Sequence, residues 1–209
     1  MAANTSRILT VATGLVLLAG FVLLGILTGN RPTEPDREVE TVLEGQWRHP
    51  VGAVADVVSV PLGPALPVVA GICLLIAALA AYRRNDRDLG RLLVRLLIVG
   101  ALCRAVSAFK SVFDRQRPRI YPDLSYPSGH VTSVACTAFV AVLAVAWLAR
   151  RFLPWVVAVS VAAVLLTAAS RLVLGVHWLS DTVGAVLGVG GAGLLAATAL
   201  GLLPVRRRS

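Results

Sequence analysis

Charge is scarce in this chain. Acidic and basic residues make up only 15% of its 209 positions, while apolar residues fill 57% and the mean hydropathy is +0.79. That balance excludes an ordinary soluble globular domain and points to lipid as the surrounding solvent. Lysine is nearly absent: Lys110 stands alone in a chain that otherwise uses arginine for every cation. Cysteine is limited to Cys73, Cys103 and Cys136, all inside apolar runs and without metal-ligand spacing, so they read as small buried hydrophobes. The sequence has no internal repeat and no low-complexity tract. Its formal net charge of +9 does not indicate nucleic acid, because most arginines sit in short segments between apolar runs, where positive charge sets membrane topology.

What is present is a series of apolar runs long enough to cross a bilayer. Six spans are predicted, at about Ile8–Thr28, Val57–Tyr82, Leu89–Phe109, Val131–Ala149, Phe152–Ser170 and Asp181–Leu203. Each must be helical, since backbone amides in hydrocarbon need internal partners that an open strand cannot supply. The expected fold is therefore all-α, a polytopic membrane bundle of six transmembrane helices forming one domain over residues 1–209. Residues 8–30 carry no charge and no small-residue cleavage site follows them, so they read as a retained first span.

Arg7, the cluster Arg83, Arg84, Arg87 and Arg91, the pair Arg150–Arg151 and the tail Arg206–Arg208 fall at alternate ends of successive spans. By the positive-inside rule both termini are expected in the cytoplasm of a multi-pass plasma-membrane protein. The outer face then receives Asn30–Asp56, Lys110–Gly129 and Arg171–Ser180. In the first of these segments Val39, Val42, Leu43 and Trp47 recur at helical spacing among charged residues. A short interfacial helix and a mobile loop both fit this pattern. His49 has no evident partner and reads as a solvated loop histidine. The pair Gly184 and Gly188 is expected to let the last span pack closely on a neighbour.

Three clusters lie at the outer ends of the spans. The first is Lys110, six residues, then Arg117–Pro118. The second is Pro127–Ser128–Gly129–His130, directly before the fourth span. The third is Ser170–Arg171, five residues, His177, three residues, Asp181. Each has a bland explanation: a snorkelling lysine, a helix N-cap, a structural His–Asp pair. Jointly these explanations fail, because Lys110, Arg117 and Arg171 bring three cations to one membrane face, where they repel unless an anion is shared between them. A phosphoryl group is such an anion, able to take charge-assisted bonds from the cations and further ones from amides near Ser128 and Gly129. If the helix has begun at His177, Asp181 lies one turn along the same face, where its carboxylate can bond Nδ1–H and leave Nε2 free as a nucleophile. Arg104, within the third span, reads as a structural residue.

These motifs, in this order, resemble the signature of the type 2 phosphatidic acid phosphatase superfamily, and the six-span pattern resembles its membrane lipid phosphatase branch over essentially the whole chain, with a motif-bearing core at about 89–203. The resemblance implies that His177 attacks phosphorus and Asp181 orients it. It also implies that His130 protonates the leaving alkoxide and later activates water, while Lys110, Arg117, Arg171, Ser128 and Gly129 hold the phosphoryl oxygens. The implied partner is a membrane lipid phosphate or diphosphate, such as phosphatidic acid, phosphatidylglycerol phosphate or a polyprenyl diphosphate. No carboxylate cluster suited to magnesium accompanies the motifs on the outer face, so neither metal nor other cofactor is expected. A phosphotransferase using the same site and a non-catalytic anion-binding membrane protein are the alternatives; cations alone would serve the latter, whereas His130, His177 and Asp181 add groups that only chemistry needs. A vanadate-dependent haloperoxidase is disfavoured by the six spans and the lack of a large soluble helical domain.

Overall fold

The computed structural model describes residues 2–29 and 31–203; Asn30 and the basic tail Arg206–Arg208 lie outside the described residues. Among the described residues there are nine α-helices and no strand. They are α1 (Ala2–Thr28), α2 (Glu34–Leu43), α3 (Pro50–Ser59), α4 (Ala65–Arg83), α5 (Arg87–Ala105), α6 (Lys110–Phe113), α7 (Gly129–Leu148), α8 (Leu153–Val173) and α9 (Leu179–Ala199). Six stretches are long and apolar enough to cross a membrane: Asn4–Thr28, Ala65–Arg83, Arg87–Phe113, Gly129–Leu148, Arg150–Val173 and Leu179–Ala199. The chain is thus an all-α polytopic membrane bundle.

The expected second span, Val57–Tyr82, begins too early. Its first residues belong to α3, which at 10 residues is too short to cross a bilayer. Pro61 and Pro64 then interrupt the chain, because neither has an amide hydrogen to continue a helical ladder, and the span starts afresh at Ala65.

Of the two readings of the outer segment, the helix is found over Glu34–Leu43. Thr33 caps it, accepting from the Asp36 amide at 3.3 Å while Asp36 accepts from the Thr33 amide at 3.0 Å. Gly45, at φ +75°, closes the segment in a left-handed conformation that favours glycine, and Trp47 falls in a separate 3₁₀ turn. The one fully buried side chain of α2 is Asp36, whereas Val42 is exposed.

The bundle is built around α9. In its most apolar 18-residue stretch 56% of residues are buried within the protein, against 11% in α4 and 6% in α8, whose remaining apolar surface is left for lipid. Small residues make this centre possible. A Cβ at Gly184 would lie 2.3 Å from the Tyr126 ring, and one at Gly188 2.6 Å from Val106, so both glycines permit a close approach.

Candidate active site

The three motif clusters meet at one end of the bundle because each lies where a spanning helix begins or ends. The chain leaves α5 through a 3₁₀ turn (Val106–Phe109) into α6, which carries Lys110 and ends at Asp114, at φ +45°. Residues 114–128 return Arg115, Arg117, Asp123 and Ser125 to the same place. Ser128, Gly129 and His130 open α7. Arg171 closes α8, and Gly175, at φ +63°, supplies the tight turn that presents His177 ahead of α9.

His177 is 3% exposed and its imidazole is fixed at both nitrogens. Nδ1 lies 3.2 Å from Asp181 Oδ2, and Nε2 lies 3.3 Å from Arg117 Nη1. Arg117 has only N–H groups to offer, so Nε2 is the acceptor and Nδ1 carries the proton that goes to Asp181. The Nε2 lone pair is therefore aimed at the cationic cluster. Burial holds the His177 pKa down to about 4, with Asp181 opposing the shift. With its pKa there the ring is neutral at pH 7, the state in which an imidazole nitrogen can act as a nucleophile.

Asp181 is completely buried and its oxygens are all engaged. Oδ2 accepts from the Trp178 amide at 2.8 Å, as the third residue of a helix commonly does for its N-cap, and also from Ser125 Oγ. Oδ1 accepts from Arg115 Nη1 at 2.7 Å.

Lys110 and Arg117 share Asp123. Lys110 Nζ is 2.9 Å and Arg117 Nη2 3.1 Å from Asp123 Oδ2. Arg117 also donates to the carbonyls of Asp123 and Val176 at 2.6 and 2.8 Å. The expectation of unpaired cations is thus corrected for two of the three: a carboxylate from the intervening loop already answers their charge. Arg171 is buried and donates through Nη1 to Ser59 Oγ at 3.3 Å. Among the described residues two buried side-chain polar atoms have no partner, Ser128 Oγ and Arg171 Nε, and both belong to the motifs. Ser128 occupies the N-cap position of α7, but its side chain makes no capping bond. Gly129 brings the backbone beside Lys110, 3.8 Å from its Cε to a notional Cβ.

His130 is part-exposed and lines a cavity of about 310 Å³ with Arg171, Arg119, Tyr121 and Asp56, its Nε2 close to Gly63. Arg119, stacked on Trp47 with its guanidinium 4.4 Å from the ring centre, also lines a cavity of about 200 Å³ that His177 borders from the α2 side. Arg104 bonds to Ser107 one turn on and stays out of the site. No three His, Cys, Asp or Glu side chains converge among the described residues as a metal site would require.

Besides Asp123 and Ser125, two further participants were missed in the sequence. Arg115 is 1% exposed and links Asp181 to Asp36, donating through Nη2 to Asp36 Oδ2 at 2.8 Å and through Nη1 to Ser180 Oγ at 2.6 Å. Asp36 in turn accepts from the Ser180 amide and hydroxyl at 2.8 and 2.7 Å. Arg115 lies inside the Lys110–Arg117 spacing, yet nothing in that spacing marks one intervening residue; Asp36 is 144 residues from its partner Ser180.

A membrane bundle with a cationic pocket around an oriented histidine defines the class of this protein. The PAP2 superfamily model matches residues 88–201, more than half of the chain, and the chain belongs to that superfamily. Its fold is similar to the crystal structure of a transmembrane PAP2-type phosphatidylglycerolphosphate phosphatase from Bacillus subtilis, with a TM-score of 0.72 and 18% identity over 93% of this chain and 99% of that one. No curated protein matches in sequence.

Proposed function

We propose that the protein is a lipid phosphate phosphatase working through a phosphohistidine on His177. The observation that carries this reading is the pair of buried atoms without partners. Burying a donor unmet costs on the order of 1–3 kcal/mol, so Ser128 Oγ and Arg171 Nε are best understood as groups kept for an anion's oxygens. They stand beside Lys110 and Arg117, whose bonds to the exposed Asp123 side chain can be exchanged for bonds to phosphate.

In this reading the Nε2 lone pair of His177 attacks phosphorus while the bond to the leaving oxygen breaks. That oxygen takes a proton from protonated His130, which becomes neutral, and the His177 ring, now carrying both the phosphoryl group and its Nδ1 proton, is cationic and stabilised by Asp181. Neutral His130 then takes a proton from water; hydroxide attacks phosphorus, the N–P bond breaks, and inorganic phosphate leaves. The cations and the Ser128 and Gly129 groups stabilise charge on the equatorial oxygens at both steps. Among the described residues no group of three His, Cys, Asp or Glu side chains converges beside them to hold a metal, which supports metal-independent turnover. The cavity at His130 lies on the leaving-group side and would take the headgroup or second phosphate of a lipid monophosphate or diphosphate. Outward placement of this end follows from the arginine distribution.

Phosphate release by purified protein, assayed with phosphatidate, phosphatidylglycerol phosphate and a polyprenyl diphosphate in chelator, tests the proposal. Release from none of them, with phosphate binding intact, identifies an anion binder instead. Transfer to an added alcohol exceeding hydrolysis identifies a phosphotransferase.

A further inference from the structure

We infer that Asp36 and Arg115 are positioning residues that set the charge felt by the His177–Asp181 pair, so that helix α2 is a working part of the active site. The inference rests on the phosphohistidine reading above. Asp36 lies outside the matched superfamily region, and Arg115, within it, is none of the motif residues.

The geometry begins with a problem. Arg115 Nη1 is 2.7 Å from Asp181 Oδ1, while His177 Nδ1 is 3.2 Å from Asp181 Oδ2. One carboxylate is therefore asked to serve two cations once His177 is phosphorylated. Arg115 alone would neutralise Asp181 and leave little negative charge for the imidazolium, because both are fully buried and unscreened by solvent. Asp36 resolves the conflict. Its side chain is 0% exposed and 2.8 Å from Arg115 Nη2, and two carboxylates against one guanidinium leave one net negative charge in the buried set. Burial pushes the Asp36 carboxyl up, but the Ser180 and Thr33 amides, the Ser180 hydroxyl and Arg115 outweigh it and hold the pKa below the ordinary range. Ser180 locks the arrangement, its hydroxyl accepting from Arg115 and donating to Asp36.

A docking role for α2 would need only the hydrogen bonds; a charge-setting role needs the ionised carboxylate. Asp36→Asn keeps the shape and an acceptor oxygen and removes the charge. Arg115→Gln in the same chain then returns the set to one negative charge, that of Asp181. His177 is otherwise faced by Arg117 and Ser125 from residues 114–128, Lys110 from α6 and His130 from α7, and it shares a cavity with Arg119 and with Glu40 and Glu44 at the end of α2; none of these changes in the series.

The experiment measures phosphoenzyme formation and kcat/KM on phosphatidate from pH 3.5 to 7 for wild type, Asp36→Asn and Asp36→Asn/Arg115→Gln, with thermal unfolding in detergent as the folding control. Asp36→Asn is expected to slow phosphoenzyme formation about 10–100-fold with KM changed by less than about threefold, and to move the acid limb of kcat/KM to lower pH. The double variant is expected to recover at least about tenfold of that loss. Wild-type rates and an unmoved acid limb in folded Asp36→Asn, or a double variant slower than the single one, overturn the inference while leaving the phosphatase reading intact. A wild type that forms no phosphoenzyme overturns that reading, and the inference falls with it.

Discussion

The carboxylate of Asp123 stands 2.9 Å from the ammonium of Lys110, in the place where the proposed substrate's phosphoryl oxygens would bind. Its side chain is 59% exposed, so it can swing into solvent and leave the largely buried Lys110 and Arg117 to a phosphate. Burial pushes its pKa up, but Lys110 and Arg117 more than offset this and keep it anionic. It therefore competes with phosphate for the same two cations. Asp123→Asn is expected to tighten product inhibition by inorganic phosphate about 3–10-fold, the scale of one part-exposed ion pair. A weaker inhibition constant would show instead that Asp123 holds Lys110 and Arg117 in position.

The pH dependence follows from His177. Its folded-state pKa is about 4, below the ordinary value for an imidazole, so the neutral nucleophile persists as pH falls and is lost only as pH drops through about 4. The acid limb of kcat/KM assigned to the nucleophile should lie there and not near 6.5. Asp181→Asn removes the anion that opposes the burial effect, so the limb should move to still lower pH while kcat falls about 10²–10⁴-fold. A limb that stays in place in this variant belongs to another group.

Packing at the centre of the bundle gives a stability prediction. Tyr126 is completely buried, donates to the Phe21 carbonyl at 2.6 Å and lies against the bare backbone of Gly184. A methyl group at 184 would meet that fully buried ring at 2.3 Å. Gly184→Ala is expected to destabilise the protein by about 1–3 kcal/mol, seen as a lower midpoint of thermal unfolding in detergent. An unchanged midpoint would mean that α9 can shift away from residues 125–128.

Much of this architecture was legible because membrane spans and motif spacing are local signals. The apolar runs set the number of spanning helices, and the pair His177 and Asp181 needed only helical periodicity to be placed on one face. The interruption at Pro61 and Pro64 was legible too, but an apolar window runs across two prolines without registering the missing amide hydrogens. Arg115 and Asp36 were hidden for a different reason. Their roles arise from a three-way contact among α2, residues 114–128 and the start of α9, and no spacing along the chain encodes a contact across 144 residues. Asp123 has no spacing that marks it, and only the fold brings it between Lys110 and Arg117.

The two histidines differ in burial and in partners, and the proposed mechanism gives them unequal work. His177 is buried with Nδ1 toward Asp181 and Nε2 toward Arg117, whereas His130 lines the open cavity that it shares with Arg171. His177→Ala removes the attacking nitrogen, so no phosphoenzyme should form from any substrate. His130→Ala removes proton transfer, a contribution of roughly 10²–10⁴-fold. With p-nitrophenyl phosphate the leaving phenolate needs no proton, so the first step should be partly spared in His130→Ala. Hydrolysis of the intermediate still needs an activated water, and phosphoenzyme should accumulate. Rapid quenching under non-acidic conditions, followed by detection of acid-labile, base-stable phosphate on each folded variant, measures both effects. If His177→Ala still carries the adduct and His130→Ala does not, the roles are reversed; if wild type never carries it under trapping conditions, the covalent route is wrong and direct attack by water on the bound phosphate takes its place.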